Sequence, residues 1–386
     1  MPNDEGSSSH CESAIPPLQP SFYRPELDFL RFFAFLAVFI QHSLPQSAIA
    51  YRAHGLPQFD ALWMAAVQRS GAYGVDLFFV LSAYLITELL QREFTSTGKV
   101  DVRSFYIRRV LRIWPLYFFF LGLCMLLSRY GVVGQHLKTT YVLAFVFLAG
   151  NWICAFRGYP NSAAAPLWSV SLEEQFYLTW PVLMLLVHVK RLMQVGICMI
   201  VFSSVIRLAL FFLGVKHPGV WCNTFARLDP IGCGIILAAC LNGRRPTLSK
   251  LDRLVLGTIA IMTLLFVGRY IPLDVPRLPN LLGGYPAVAL ASSVLVFLIL
   301  ACDLSTLPAT ISSSGIYLGR ISYGLYVFHV LAIELVNRTI PESFVIRLPL
   351  ALMLTVGFSA ISYRYLEKPF LRLKLRFTHV SSRPGG

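Results

Sequence analysis

The chain has 386 residues, of which 56% are hydrophobic and only 13% are Asp, Glu, Lys or Arg, and its mean hydropathy is +0.64. Soluble domains carry about 25% charged residues, so this composition excludes an ordinary soluble enzyme and points to an integral membrane protein. The net charge of +14 does not make a nucleic-acid binder, because the basic residues cluster in short loops beside apolar runs, as cytoplasmic loops do. Loops of that kind also suit anionic lipids or an anionic substrate.

Residues 1–22 are polar, rich in Ser and Pro and without an apolar core. They form no signal peptide, and a disordered cytoplasmic tail is expected there, with His10 and Cys11 incidental. Crossing a hydrocarbon layer of ~30 Å takes about 20 apolar residues. Runs of that character occupy 27–44, 75–91, 114–129, 141–157, 172–189, 193–214, 228–241, 251–270, 285–302, 316–336 and 346–367. The fourth and seventh are short, as half-spans or protein-buried segments are.

The loop from Arg92 to Arg112 holds Arg92, Lys99, Arg103, Arg108, Arg109 and Arg112, which places it inside the cell. Asn242 to Arg253 gives a second inside signal. With both termini also inside, the number of crossings is even and ten is expected, the fourth run being the one that does not cross, while Lys190 and Arg191 leave eleven spans as the alternative. Residues 23–373 then form one all-α polytopic bundle, followed by a basic cytoplasmic tail at 374–386. The eight cysteines are scattered, with no disulfide framework and no metal-type spacing. No internal repeat is evident.

Ionisable groups inside apolar runs are expensive and face a bundle interior or a water-filled cavity. The first run reads LDFLRFFAFLAVFIQHS, with Arg31 and His42 eleven residues apart. At 100° and 1.5 Å per residue they share nearly one helix face and stand roughly 16 Å apart along the axis. Two readings stand for this pair: an anchor reaching headgroups with a cap at the far end, or a functional face. Asp76 and Glu88 flank the second run, and Glu173 and Glu174 form an adjacent carboxylate pair in PLWSVSLEEQFYLTWP. They serve either as first-turn carboxylates or as partners for His42 or Arg31. Arg227 and Asp229 open the seventh run and are placed to pair with each other; His329 sits in ISYGLYVFHVLA, and Glu367 closes the last run.

No Walker loop, HExxH helix, GxSxG elbow or dinucleotide fingerprint is present in the sequence. A histidine with carboxylates and arginines in a low-dielectric bundle suits general-base activation of a hydroxyl.

Seven segments, LDFLRFFAFLAVFIQHS, GVDLFFVLSAYLI, RRVLRIWPLYFF, PLWSVSLEEQFYLTWP, RLDPIGCGIILA, ISYGLYVFHVLA and SYRYLEKPF, follow one another in the order and spacing of the acyltransferase 3 family, which the chain resembles over about residues 22–373. The resemblance implies a bacterial, multi-pass inner-membrane O-acyltransferase that moves an acyl group, most often acetyl, from cytoplasmic acyl-CoA to a hydroxyl of a saccharide or lipid-linked glycan. It implies Arg31 and His42 as the family's arginine and histidine, with His42 the catalytic base or acyl relay, and Glu173 as the acidic group assisting the reaction centre. Arg109 and Arg112 match its RxxR pair for the donor's phosphates, with Arg108 beside them. Asp76, Glu174 and His329 are expected to contact substrate.

Acetyl-CoA is thus the expected donor, with no metal. The expected partners are a saccharide or glycolipid acceptor and membrane lipids, with a homo-oligomer or glycan-assembly proteins beyond them and no nucleic acid. Arginine offers bidentate, always-charged donors to phosphate, and a cation near the thioester carbonyl stabilises the forming oxyanion.

Two departures from the family pattern stand out. Ala83 occupies a position where the family commonly has glycine, which bears on close backbone approach there. The sequence also ends soon after the last run, without the SGNH-type hydrolase domain that some relatives append, so the expectation is that the bundle or another protein completes the transfer. A transporter or flippase of a lipid-linked sugar places charges in a bundle too, though usually with paired inverted repeats. A non-catalytic scaffold or acyl-glycan sensor is the third reading, and the polar WSVSLEEQFY segment weighs against it.

Overall fold

The computed structural model describes residues 23–134, 136–340 and 344–377. The tail expected at 1–22 and residues 378–386 of the basic tail lie outside the described residues. Within these, the chain folds into sixteen α-helices with short tight turns between them and no strand. The first half holds α1 (Pro25–Ser43), α2 (Ala48–Ala53), α3 (Gln58–Gly71), α4 (Gly74–Thr97), α5 (Val102–Arg129), α6 (Thr139–Val146), α7 (Gly150–Arg157) and α8 (Leu167–Leu186). The second holds α9 (Leu192–Phe212), α10 (Leu228–Leu241), α11 (Lys250–Tyr270), α12 (Tyr285–Leu300), α13 (Ala309–Arg320), α14 (Ser322–Thr339), α15 (Phe344–Ser362) and α16 (Lys368–Lys374).

Six segments are long and apolar enough to cross a membrane: Gln58–Thr97, Val102–Arg129, Val189–Phe212, Lys250–Tyr270, Asn280–Leu300 and Val345–Phe377. The pair α13 and α14 makes a seventh if taken as one span bent by 75°. The protein is therefore an all-helical, multi-pass membrane bundle. Its periphery is apolar: Ile197, Val201 and Val205 on α9 and Leu254, Ile261 and Met262 on α11 are exposed, where lipid tails rather than water satisfy them. Helices α1, α4, α8, α10 and α14 carry most of the buried polar groups and form the centre.

Several boundaries differ from the sequence expectation, each for a physical reason. Helix α3 occupies a stretch expected as loop; its buried face is Ala61, Ala65, Ala66, Gln68 and Gly71, and small residues leave little hydropathy signal. They allow close packing instead, the main source of helix association in lipid. Helix α5 starts at Val102, with Asp101 accepting from the Ser104 amide as its cap, so the arginines expected on a loop lie on a helix. The fourth apolar run divides into α6 and α7 at Leu148, whose φ is 55°. Each piece has eight residues, about 12 Å of helix against the ~30 Å of a bilayer core. The run at 316–336 is broken at Ile321.

Ala83 keeps its close helix contact through its partner. Gly234 on α10 faces it, and a Cβ added at Gly234 would lie 2.7 Å from the Ala83 methyl and 2.5 Å from the Val80 carbonyl oxygen. With glycine on the α10 side, α4 and α10 meet at backbone distance.

Candidate active site

An open cleft runs between α1, α4, α5, α8 and α14. Along α4 it extends from Val75 to Leu89, about 21 Å at 1.5 Å per residue. Arg31 from α1, Arg109 and Arg112 from α5 and Glu173 from α8 all line it. Four positions from three separate stretches of sequence thus converge on one space.

Helix periodicity sorts the neighbouring groups. Arg109 and Arg112, three residues apart, share the cleft face of α5. The Arg109 guanidinium lies 5.2 Å from the ring centroids of both Phe105 and Tyr177, and its buried Nε has no hydrogen-bond partner. Arg108 is turned 100° from Arg109 and points elsewhere: it donates to Glu93 Oε2 at 3.1 Å and to the Phe377 carbonyl at 2.8 Å. On α8 the adjacent carboxylates part in the same way. Glu173 accepts from Ser82 Oγ at 2.5 Å, and Ser82 Oγ in turn accepts from the Tyr177 hydroxyl at 3.1 Å. Glu174 lies outside the cleft, accepts from Trp114 Nε1 at 2.9 Å and leaves Oε1 buried without a partner.

Arg31 is bound to Asp28 across one turn at 2.7 Å, which orients its guanidinium while half-neutralising it. This end of the cleft pairs fixed positive charge with one hydrogen-bonded carboxylate.

His42 is not part of the cleft lining. Its ring, exposed at the end of α1, stands 5.0 Å from that of His329. His329 is fully buried and its Nδ1 lies 2.5 Å from the Tyr326 carbonyl oxygen. A carbonyl can only accept, so Nδ1 carries the hydrogen and the neutral ring keeps its lone pair at Nε2, where no partner is present. Tyr326 belongs to both regions. Its hydroxyl lies 2.6 Å from Ser169 Oγ within the cleft lining, its ring is 5.5 Å from His329 and 5.9 Å from Phe78, another lining residue. Tyr326 therefore stands between the cleft and the histidine pair, touching both.

Asp76 is not in the cleft. It is buried in an ion pair with Arg227 at 3.0 Å, and Arg227 stacks on Trp221 at 4.0 Å. Asp229 pairs instead with Arg207 at 2.6 Å and accepts from Ser203. Arg227 and Asp229, placed by sequence to pair with each other, each take a partner from another helix because α4 and α9 flank α10 on opposite sides. Sequence reasoning passed over Ser82, Ser169, Tyr177 and Tyr326, hydroxyls in apolar helices that resemble core positions, and Arg207, a lone arginine inside an apolar run. Among the described residues no group of His, Cys, Asp and Glu comes together to hold a metal ion.

A helical membrane bundle that gathers arginines and a carboxylate around an internal cleft is the framework of an intramembrane enzyme. The family model of the acyltransferase domain matches residues 24–364, and the chain belongs to this family. Among curated relatives, an O-acetyltransferase OatA of Staphylococcus aureus is 28% identical over 375 residues, covering 90% of this chain and 57% of the relative. A peptidoglycan O-acetyltransferase OatA of Listeria monocytogenes is 26% identical over 380 residues, covering 90% and 56%. The chain thus spans a little over half the length of these relatives. No solved structure matches it at a significant level.

Proposed function

We propose that the protein is an O-acyltransferase of the cell membrane that moves an acetyl group from acetyl-CoA to a hydroxyl of a saccharide or lipid-linked glycan, with residues 23–373 as one catalytic bundle. The observation that carries this reading is the convergence of Arg31, Arg109, Arg112 and Glu173 on one cleft. Arg109 and Arg112 grip the donor's phosphates, and the pantetheine arm lies along α4 toward Ser169 and Tyr326. Arg31 adds fixed positive charge where the donor lies in the cleft, and Glu173 orients the guanidinium groups around it.

The histidine pair is the acceptor side. His42 takes the proton of the attacking hydroxyl, the C–O bond forms as the C–S bond breaks, and that proton finally neutralises the departing CoA thiolate. His329 offers its Nε2 lone pair to a neighbouring hydroxyl of the acceptor, a contact that suits a polyol. The thioester end of the pantetheine arm passes Tyr326 to reach His42, so the bond exchange takes place beside the histidines. In this reading α1, α8 and α10 join the seven apolar spans to make ten crossings, with both termini cytoplasmic.

The test is label transfer. The 386-residue chain in lipid nanodiscs receives radiolabelled acetyl-CoA and a panel of glycans that includes peptidoglycan fragments, the acceptor class named for the Listeria relative. Acetyl-ester formation is expected with at least one glycan. Movement of a lipid-linked sugar across vesicles without any use of acetyl-CoA would replace this reading with a flippase.

A further inference from the structure

Two cations that no motif pointed to line the cleft, Arg24 beside the start of α1 and Lys374, the last residue of α16 and about 260 positions from the RxxR pair. We propose that Lys374 is a third phosphate-binding residue of the donor site, and that Arg108 is the positioning residue that holds it there. The proposal rests on the acyl-CoA reading given above.

Three observations lead to it. First, Lys374 borders the same cleft as Arg109 and Arg112, and α16 packs along α5, the helix that carries both arginines. Second, the segment that follows Lys374 is fastened to α5 by Arg108, whose two terminal nitrogens donate to the Phe377 carbonyl at 2.8 Å and to Glu93 at 3.1 Å. Glu93 is itself buried and fixed by the Asp101 amide at 2.8 Å. Glu93, Arg108 and Phe377 thus form a clamp joining the ends of α4, α5 and α16. Third, the donor's own chemistry leaves room for another cation. Coenzyme A carries a diphosphate and a separate ribose phosphate, and two guanidinium forks one turn apart match two of these groups. A lysine supplies a compact, mobile point charge for the remaining one.

The clamp explains why Arg108 adjoins the RxxR pair without entering the cleft. Its charge is spent on Glu93 and a carbonyl, and its effect on the donor passes through the placement of α16.

Binding of acetyl-CoA and of acetyl-pantetheine, which has no phosphate, is measured on the 386-residue chain in nanodiscs. Lys374→Gln is expected to weaken acetyl-CoA about tenfold, the scale of one charge-assisted hydrogen bond, and to leave acetyl-pantetheine unchanged. Lys374→Arg keeps the charge and is expected to keep most of the affinity. Arg108→Gln should weaken acetyl-CoA to a similar degree, and the double variant little more than either single one, because both act through one contact. Equal loss with both ligands, unchanged acetyl-CoA affinity in Lys374→Gln, or fully additive losses would each overturn the proposal. Thermal unfolding of each variant in the same nanodiscs identifies one that simply misfolds. Failure of the unsubstituted protein to bind acetyl-CoA is a separate result, and it removes the acyl-CoA reading itself.

Discussion

The rings of His42 and His329 stand 5.0 Å apart and inclined at 55°, bringing the end of α1 to the middle of α14 on the far side of Tyr326 from the cleft. Under the proposed function, donor binding and proton handling occupy different compartments. His42→Ala is expected to reduce acyl transfer by about 10²–10⁴-fold, the range of general acid–base catalysis, while acetyl-CoA affinity stays within about twofold. Equilibrium binding and single-turnover transfer, measured side by side, check this. A parallel loss of donor affinity would place His42 in the donor site and contradict the separation.

Arg109 stacks between Phe105 and Tyr177 and keeps an unpartnered buried Nε. Lysine has neither the planar stack nor the fork, so Arg109→Lys should raise the KM for acetyl-CoA about tenfold although the charge is retained. Full activity in this variant would mean that the cleft needs only a positive charge there.

Glu173 is fixed by the Ser82 hydroxyl, which is fixed by Tyr177. Glu173→Gln preserves size and the accepting oxygen but removes the negative charge facing Arg31 and Arg109. It is expected to lower kcat by at least about tenfold, whereas Ser82→Ala, which removes the hydrogen bonds to Glu173 and from Tyr177 but leaves the carboxylate charge, should be milder. If Ser82→Ala proved the more damaging, the hydroxyl rather than the carboxylate would be the important group.

Arg207 is fully buried, paired with Asp229 at 2.6 Å and bonded to the Leu281 and Ala226 carbonyls at 2.7 and 2.8 Å. Removing one partner strands the other, so Arg207→Ala should destabilise the bundle by about 3–5 kcal/mol. The readout is the thermal unfolding midpoint in detergent. Any protein that remains folded should bind acetyl-CoA normally, since the pair lies outside the cleft.

The α4–α10 crossing offers a test by exchange. Gly234→Ala brings a methyl against Ala83 and the Val80 carbonyl and should destabilise by about 1–3 kcal/mol, the usual scale of overpacking. Adding Ala83→Gly removes one of the two contacts and should recover part of that loss. No recovery would show that the carbonyl contact alone sets the spacing.

The parts of this molecule that were legible in the sequence are those written in charge. Arg31, Glu173 and the Arg109–Arg112 pair drew notice because charged groups among apolar residues need a reason, and the structure places all four on one cleft. Adjacency was less informative. Arg108 beside Arg109, and Glu174 beside Glu173, differ in direction by 100°, and only the packed neighbours reveal which member of each pair faces inward. Asp76 and His329 were correctly singled out as unusual, yet which groups surround them depends on helices distant in sequence. Helix α3 stayed hidden because its buried face is alanine and glycine, and Lys374 because a basic residue after the last apolar run resembles an ordinary anchor.

The buried pair of Asp76 and Arg227 also sets an order of events during synthesis. Asp76 lies within the apolar stretch Gln58–Thr97, and its counter-ion is encoded on the far side of five further helices of the fold. With about 150 residues between them and synthesis at about 5–20 residues per second, α4 leaves the ribosome roughly 8–30 s before Arg227 exists. During that interval a charged carboxylate in lipid would cost about 2.5–3.5 kcal/mol on the insertion scale, a burden the apolar length of α4 has to bear alone. The centre of the bundle therefore closes only after α10 arrives, and a nascent chain halted before Arg227 would hold α4 in the membrane without the ion pair that locks it.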